Sequence, residues 1–159
     1  MAIPDFISEL RAVIGTVPLW LSGVTAIVLD DARERVLLIR RSDTKRWAPI
    51  TGIIDPGEQP AVAAIREALE EAGVDIAVER LASVGVTGNI VYENGDRAQY
   101  LDLTFECRYL DGEPRPVDGE ALEVAWFALG ALPDGLTEEF LRRIEDAVSG
   151  GPAARFLVT

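Results

Sequence analysis

The stretch GIIDPGEQPAVAAIREALEEAGV, running from Gly52 to Val74, decides the reading of this chain. A Gly/Pro-marked loop leads straight into helix-forming sequence. Pro60 suits the first helical position, where its missing N–H would be unpaired in any case, and Gly73 supplies the left-handed stop. The spacing predicts a helix over Pro60–Ala72, about 20 Å long at helical rise. On that helix Val62, Ile65, Leu69 and Ala72 share one side, while Glu67, Glu70 and Glu71 fall nearly opposite. One side is apolar and the other is a carboxylate cluster.

Like charges three and four residues apart repel by a few tenths of a kcal/mol per pair, and only Arg66 stands among these acids. Something cationic offsets that repulsion. A hard divalent cation takes carboxylate, phosphate and water oxygens, and Glu70 and Glu71 fit that need. Arg66 can hold Glu67 or Glu70 through a rigid planar fork. The loop Asp55-Pro56-Gly57-Glu58 returns a fourth carboxylate, Glu58, to the same face. Taken alone, an EALEE run reads first as an amphipathic surface helix with solvated glutamates.

The full spacing says more. Gly52, five residues, Glu58, seven residues, Arg66-Glu67, two residues, Glu70-Glu71, one residue and Gly73 before an aliphatic residue resembles the Nudix box over its whole length, with seven identities in 23 positions. One position departs from the pattern: Ala68 stands where the family prefers a large aliphatic residue, which thins a packing contact and leaves the carboxylates in place. The resemblance implies an α/β/α sandwich on a mixed β-sheet, with Mg²⁺ as cofactor and Mn²⁺ as the other candidate. It makes Glu70 and Glu71 metal ligands, with Glu67 and Glu58 completing the shell and the backbone at Thr51 and Gly52 adding an oxygen. It also implies that Glu67, beside Arg66, or a carboxylate from a later loop takes the proton from water. Glu120 is the first choice in that loop and Glu123 the second.

Composition narrows the chemistry further. A chain of 159 residues buries a core of its own, so one domain is expected over 1–159, with 1–20 a helix and lead-in and 150–159 a tail. The formal charge of −12 argues against a grip on nucleic acid, because nothing supplies a basic stripe. Without histidine, Ser-His-Asp and Cys-His schemes and imidazole-bound zinc fall away, and carboxylate and metal chemistry remains. The single cysteine, Cys107, fits a reducing compartment and a core position. No stretch reads as a signal peptide or a membrane span, so a cytoplasmic protein is expected.

Before the box, Pro4–Ile14 places Phe6, Ile7, Leu10, Val13 and Ile14 at helical spacing. That helix packs either on its own core or on the second subunit of a homodimer. Gly23–Leu29 and Val36–Ile39 read as a hairpin across the charged turn DDARER. Arg41 and the loop to Arg46 and Trp47 gather positive charge and an indole next to the box, so Trp47 and Arg41 are candidates for binding substrate.

After the box, Asp75–Leu81 and Ala82–Tyr92 alternate as strands, and Asn94-Gly95 signals a tight hairpin turn. Tyr100–Tyr109 is the longest strand candidate, with Leu101, Leu103, Phe105 and Cys107 on one face. Tyr100, Asp102, Thr104 and Glu106 lie on the other, facing solvent or a pocket. Leu136–Val148 reads as a helix capped by Thr137 with an inward stripe of Phe140, Leu141, Ile144 and Val148, its acids Glu138, Glu139 and Glu145 solvated.

The resemblance implies attack of water on a diphosphate linkage of a small nucleotide, with a nucleoside triphosphate the first expectation and Trp47, Tyr92 or Tyr100 available to stack a base. A non-catalytic nucleotide sensor is one alternative, and an ADP-ribose or nucleoside diphosphate-sugar pyrophosphatase another. The proline that ADP-ribose hydrolases carry downstream of the box is missing here. An isoprenoid diphosphate isomerase relies on histidine, which the chain lacks.

Overall fold

Alternating apolar strands and three glycine- or serine-ended helices account for residues 3–158, the part of the chain that the computed structural model describes. Residues 1, 2 and 159, at the ends of the expected single domain, lie outside the described residues. The central strand is β1 (Leu19–Leu29), which runs parallel to β7 (Arg97–Gly112) along its whole length. Its other edge is shared: β4 (Ile50–Ile53) pairs with it from Gly23 to Ala26, and β2 (Arg35–Arg41) meets it only at Leu29 and Val36.

The expected hairpin is therefore a corner. Asp30 Oδ1 accepts the N–H groups of Glu34 and Arg35, and Arg33 takes a left-handed φ of 57°, so the chain turns out of the sheet. β2 then pairs with β3 (Trp47–Ala48) and β8 (Ala121–Ala128). β5 (Val74–Val86) joins what alternation divides into two strands, and its register slips between Val78 and Arg80 and between Leu81 and Ser83. Such bulges are why its alternation is loose. After β6 (Ile90–Val91), the Asn94-Gly95 turn leads into β7, with Gly95 at φ 87°. The tail adds β9 (Arg155–Phe156), a parallel edge on β5.

Helices cover both faces. Val24, Ala26 and Val28 of β1 pack under α2 (Pro60–Ala72), together with Phe105 and the buried Cys107 of β7. Ile27 and Leu29 pack under α3 (Glu138–Val148), and Leu21 under α1 (Asp5–Ile14). The result is the expected α/β/α sandwich with a mixed sheet.

Three faces differ from the sequence reading. On α2 the inward residues are Ala63, Ala64, Ala68 and Ala72 together with Glu67 and Glu71, while Val62, Ile65 and Leu69 are exposed. Small side chains let the helix axis approach the sheet closely, and bulk alone picks the wrong side. Ala68 is fully buried at that contact rather than a thinned one. On β7 the polar face lies under α3 instead of in solvent. Thr25 and Thr104 each donate 2.8 Å hydrogen bonds to Asp102, and Arg143 stands 3.3 Å from the same carboxylate. Glu106 is held between Arg80 and Arg33. On α3, Leu141 of the expected stripe is exposed, Arg143 and Asp146 are buried beside Ile144, and Glu139 pairs with Arg143 rather than standing free. Thr137 caps the helix, accepting the Phe140 N–H at 3.2 Å.

Candidate active site

β4 passes directly beneath α2, and Gly52 makes that approach possible. A Cβ at Gly52 would lie 2.0 Å from the carboxyl carbon of Glu67, so no other residue fits without displacing that side chain. The predicted oxygen donors at Thr51 and Gly52 thus sit on a strand pressed against the acidic face of the helix, paired with Thr25 and Val24 of β1.

Arg66 gathers the box carboxylates. Its Nε and Nη2 donate to the two oxygens of Glu58 at 2.9 Å each, and Nη1 donates to Glu67 at 2.8 Å and to Glu70 at 3.2 Å. Nη2 also reaches the carbonyl of Ile53 at 3.1 Å, tying the helix to the end of β4. The paired guanidinium holds the Glu58 carboxyl below the usual range. Glu67 is different: burial pushes it up to about 7 against the pull of Arg66, with Glu70 and Glu58 adding to the rise.

Glu71 is the residue left over. Only 1% of it is exposed, and its Oε2 has no hydrogen-bond partner among the described residues. Burial, then the Glu67 charge, push its carboxyl up to about 8, while Arg41 pulls the other way. A buried, unpartnered carboxylate oxygen is costly unless a cation or proton meets it.

The facing wall comes from two loops. Arg41 ends β2, Ser42 and Asp43 follow it, and Asp118-Gly119-Glu120 precede β8. They are joined where the Ser42 N–H donates to the Glu120 carbonyl at 2.7 Å, and Asp118 Oδ1 accepts the Glu120 N–H at 2.9 Å. Between helix and loops runs a cleft of about 670 Å³ lined by Glu67, Glu70, Arg66, Asp118 and Glu120, with Pro4 and Ile53 at one side. A recess of about 60 Å³ beside it is lined by Glu71, Arg41 and Glu120. Arg41 is itself gripped by Asp43 at 2.9 and 2.7 Å, which holds the Asp43 carboxyl down at about 2.

Glu58, Arg66, Glu67, Glu70, Glu71, Arg41 and Glu120 are thus brought together at or beside one cleft. Three candidates are not. Trp47 packs edge-on against Phe127, ring centroids 4.7 Å apart, in the core under α3. Tyr100 is buried under α1 at 8% exposure, its hydroxyl 2.6 Å from that of the exposed Tyr92. Glu123 pairs with Arg40 on β8. Among the cleft residues the sequence reading did not single out are Asp118 and Pro4. An Asp-Gly pair in the loop was the available signal for the first; nothing in the sequence links Pro4 to the box.

Among the described residues no three carboxylates stand together as a ready metal-binding group. The arginine fork occupies oxygens of Glu58, Glu67 and Glu70. The donor set nevertheless fits a divalent cation: hard oxygens, one of them orphaned and buried, at an acidic cleft.

The mixed-sheet sandwich thus brings β4 against α2 and gathers the box carboxylates around one arginine. The NUDIX domain family model matches residues 20–147, so the chain belongs to the Nudix family of hydrolases. It is 30% identical over 139 residues to a MutT-like protein of Streptomyces ambofaciens, covering 87% of this chain and 84% of that one. It is 27% identical over 136 residues to the dihydroneopterin triphosphate diphosphatase of Escherichia coli (strain K12), covering 86% and 81%. Among solved structures it is similar to a NUDIX hydrolase from Nitrosomonas europaea, with a TM-score of 0.66, 25% identity, and 83% and 90% of the two chains covered. No helix of the described residues is long and apolar enough to cross a membrane.

Proposed function

We propose that this chain is a Mg²⁺-dependent pyrophosphohydrolase that cleaves a nucleoside triphosphate to the monophosphate and pyrophosphate. The observation that carries this reading is the buried, unpartnered oxygen of Glu71 at the edge of an acidic cleft. Two relatives support the choice of substrate, one by its MutT-like name and one by acting on a pterin triphosphate.

Glu70, Glu71, Glu67 and Glu58, with the backbone at Thr51 and Gly52, would hold the cation, which when bound neutralises phosphate oxygens and lowers the pKa of water. Mn²⁺ serves the same donor set. Arg66 keeps Glu58, Glu67 and Glu70 pointed at one place, and its hydrogen bonds must partly yield for the acids to turn toward the ion. Glu67, held near neutrality by burial, accepts the proton of the attacking water at a carboxylate oxygen. Glu120 is the second candidate for that role from the opposite wall. Arg41, next to Glu71 and Glu120 in the adjoining recess, supplies positive charge for the phosphates.

The reading is tested by incubating the protein with Mg²⁺ and a panel of nucleoside triphosphates, ADP-ribose and nucleoside diphosphate sugars, and separating the products. Monophosphate and pyrophosphate from a triphosphate is the expected result. Turnover of ADP-ribose or a nucleotide sugar alone would move the substrate to that class. Tight calorimetric binding of one compound, with no turnover of any, would establish a sensor instead.

A further inference from the structure

α1 is fastened across the apolar end of the sheet beside the cleft. It buries only Ile7, at 5% exposure, against Leu21, Ile53, Ala98 and Tyr100, with Phe6 packed partly on the same group. Leu10 and Val13 face outward, at 41% and 86% exposure. So few buried contacts make a weak dock for a helix.

Arg11 supplies the rest of the attachment. Its Nη1 donates to the carbonyls of Gly15 at 2.9 Å and Val17 at 2.6 Å, and its Nη2 donates to Arg97 at 2.7 Å. Its Nε lies 3.4 Å from Asp96 in the turn between β6 and β7. One largely buried guanidinium thus clips the end of α1 to the hairpin. At the opposite end of the same helix Pro4, its N-cap residue, forms part of the cleft wall together with Ile53. Ile53 itself sits in the small apolar group under Ile7, so the dock of α1 and the wall of the cleft share a residue.

We infer that α1 is a specificity-determining wall, positioned by the Arg11 clip, that restricts the cleft to mononucleotide-sized substrates and excludes dinucleoside polyphosphates. The inference rests on the proposed hydrolysis at this cleft. A space of about 670 Å³ lies within the usual range of small-ligand pockets, roughly 300–1,000 Å³. A second nucleoside needs additional room, and on the Pro4 side the wall is made jointly by the start of α1 and by Ile53 at the end of β4. Arg11 donates to the carbonyls of Gly15, Val17 and Arg97 and pairs with the carboxylate of Asp96, so its role is to hold α1 in place.

The test compares kcat/KM for dGTP and for diadenosine tetraphosphate in the wild type, Arg11→Ala and Pro4→Trp, with hydrogen exchange of residues 5–14 followed in each. Arg11→Ala is expected to speed exchange in α1 and to raise the dinucleotide-to-mononucleotide ratio roughly tenfold, the scale of a reshaped apolar pocket wall. Its effect on dGTP falls on KM and leaves kcat near wild type. Pro4→Trp, which fills the wall without loosening it, is expected to shift the ratio the other way. An unchanged ratio in both variants overturns the inference, as does unchanged α1 exchange in Arg11→Ala. If Arg11→Ala loses its cooperative melt, Pro4→Trp alone decides. Failure of the wild type to cleave either compound counts against the proposed function, whereas cleavage with constant ratios counts against the wall alone.

Discussion

Glu71→Gln is expected to lower kcat/KM by roughly 10²–10³-fold, the scale of removing a group that stabilises transition-state charge. In EDTA at pH 8 the same variant is expected to melt about 2–4 °C higher than the wild type, equivalent to about 1 kcal/mol for a domain of this size. Both effects come from one side chain. Its carboxyl is buried, has an unpartnered oxygen and is pushed up to about 8, against an ordinary glutamate value of about 4.3. A carboxyl raised in the folded state favours folding while both states are protonated. That contribution is lost as pH climbs from about 4.3 towards 8, because only the unfolded chain ionises freely over that span. The wild type without divalent cation should lose thermal stability across this window, and the glutamine variant should lose less. Melting curves at pH 5 and pH 8, with EDTA and with Mg²⁺, read this directly. A variant that stays active, or that melts below the wild type at pH 8 in EDTA, would show that Glu71 is neither strained nor functional.

Arg143→Leu carries the largest expected loss of stability, about 3–5 kcal/mol, because it leaves a charge buried without its partner. The corresponding fall in melting temperature is about 6–20 °C. Arg143 and Asp102 are 8% and 7% exposed at their side chains, and Arg143 also donates 2.8 Å to Thr25, which in turn donates to Asp102. Burial pushes the Asp102 carboxyl up, and Arg143, Thr104 and Thr25 pull it back only in part. The pair therefore specifies where α3 sits more than it stabilises the fold. Replacing both residues, Asp102→Leu with Arg143→Leu, should recover much of the loss. Equilibrium urea unfolding of the two single variants and the double variant measures this coupling. Single losses below about 1 kcal/mol that simply add would contradict it.

Local rules placed the box helix because they act within it: Pro60 and Gly73 bound α2 where the spacing puts them, and the acids converge because Arg66 stands among them. The inward face of α2 was not legible, since apolar bulk favoured Val62, Ile65 and Leu69 while a close strand selects alanine. The acid pair on β7 was equally opaque. Alternation leaves Asp102 and Glu106 facing either solvent or a pocket, and only Arg143, Arg80 and Arg33, arriving from distant segments, decide their surroundings. Trp47 was misplaced for a related reason: proximity to the box along the chain suggested a base platform, yet strand alternation turns its ring to the other side of the sheet, against Phe127. Glu120 was reachable through the family pattern. Asp118 and Pro4 depend on which loops and helices meet across the cleft, and that is a property of the assembled fold.

The central claim is that the carboxylates of α2 hold a divalent cation. Titrating Mn²⁺ into the protein while following the free-ion EPR signal tests it most directly. Wild type should remove free Mn²⁺ from solution, Mg²⁺ should release it, and Glu70→Gln should weaken the binding by roughly tenfold or more. A free-ion signal that rises in step with added Mn²⁺, with or without nucleotide, would contradict the account.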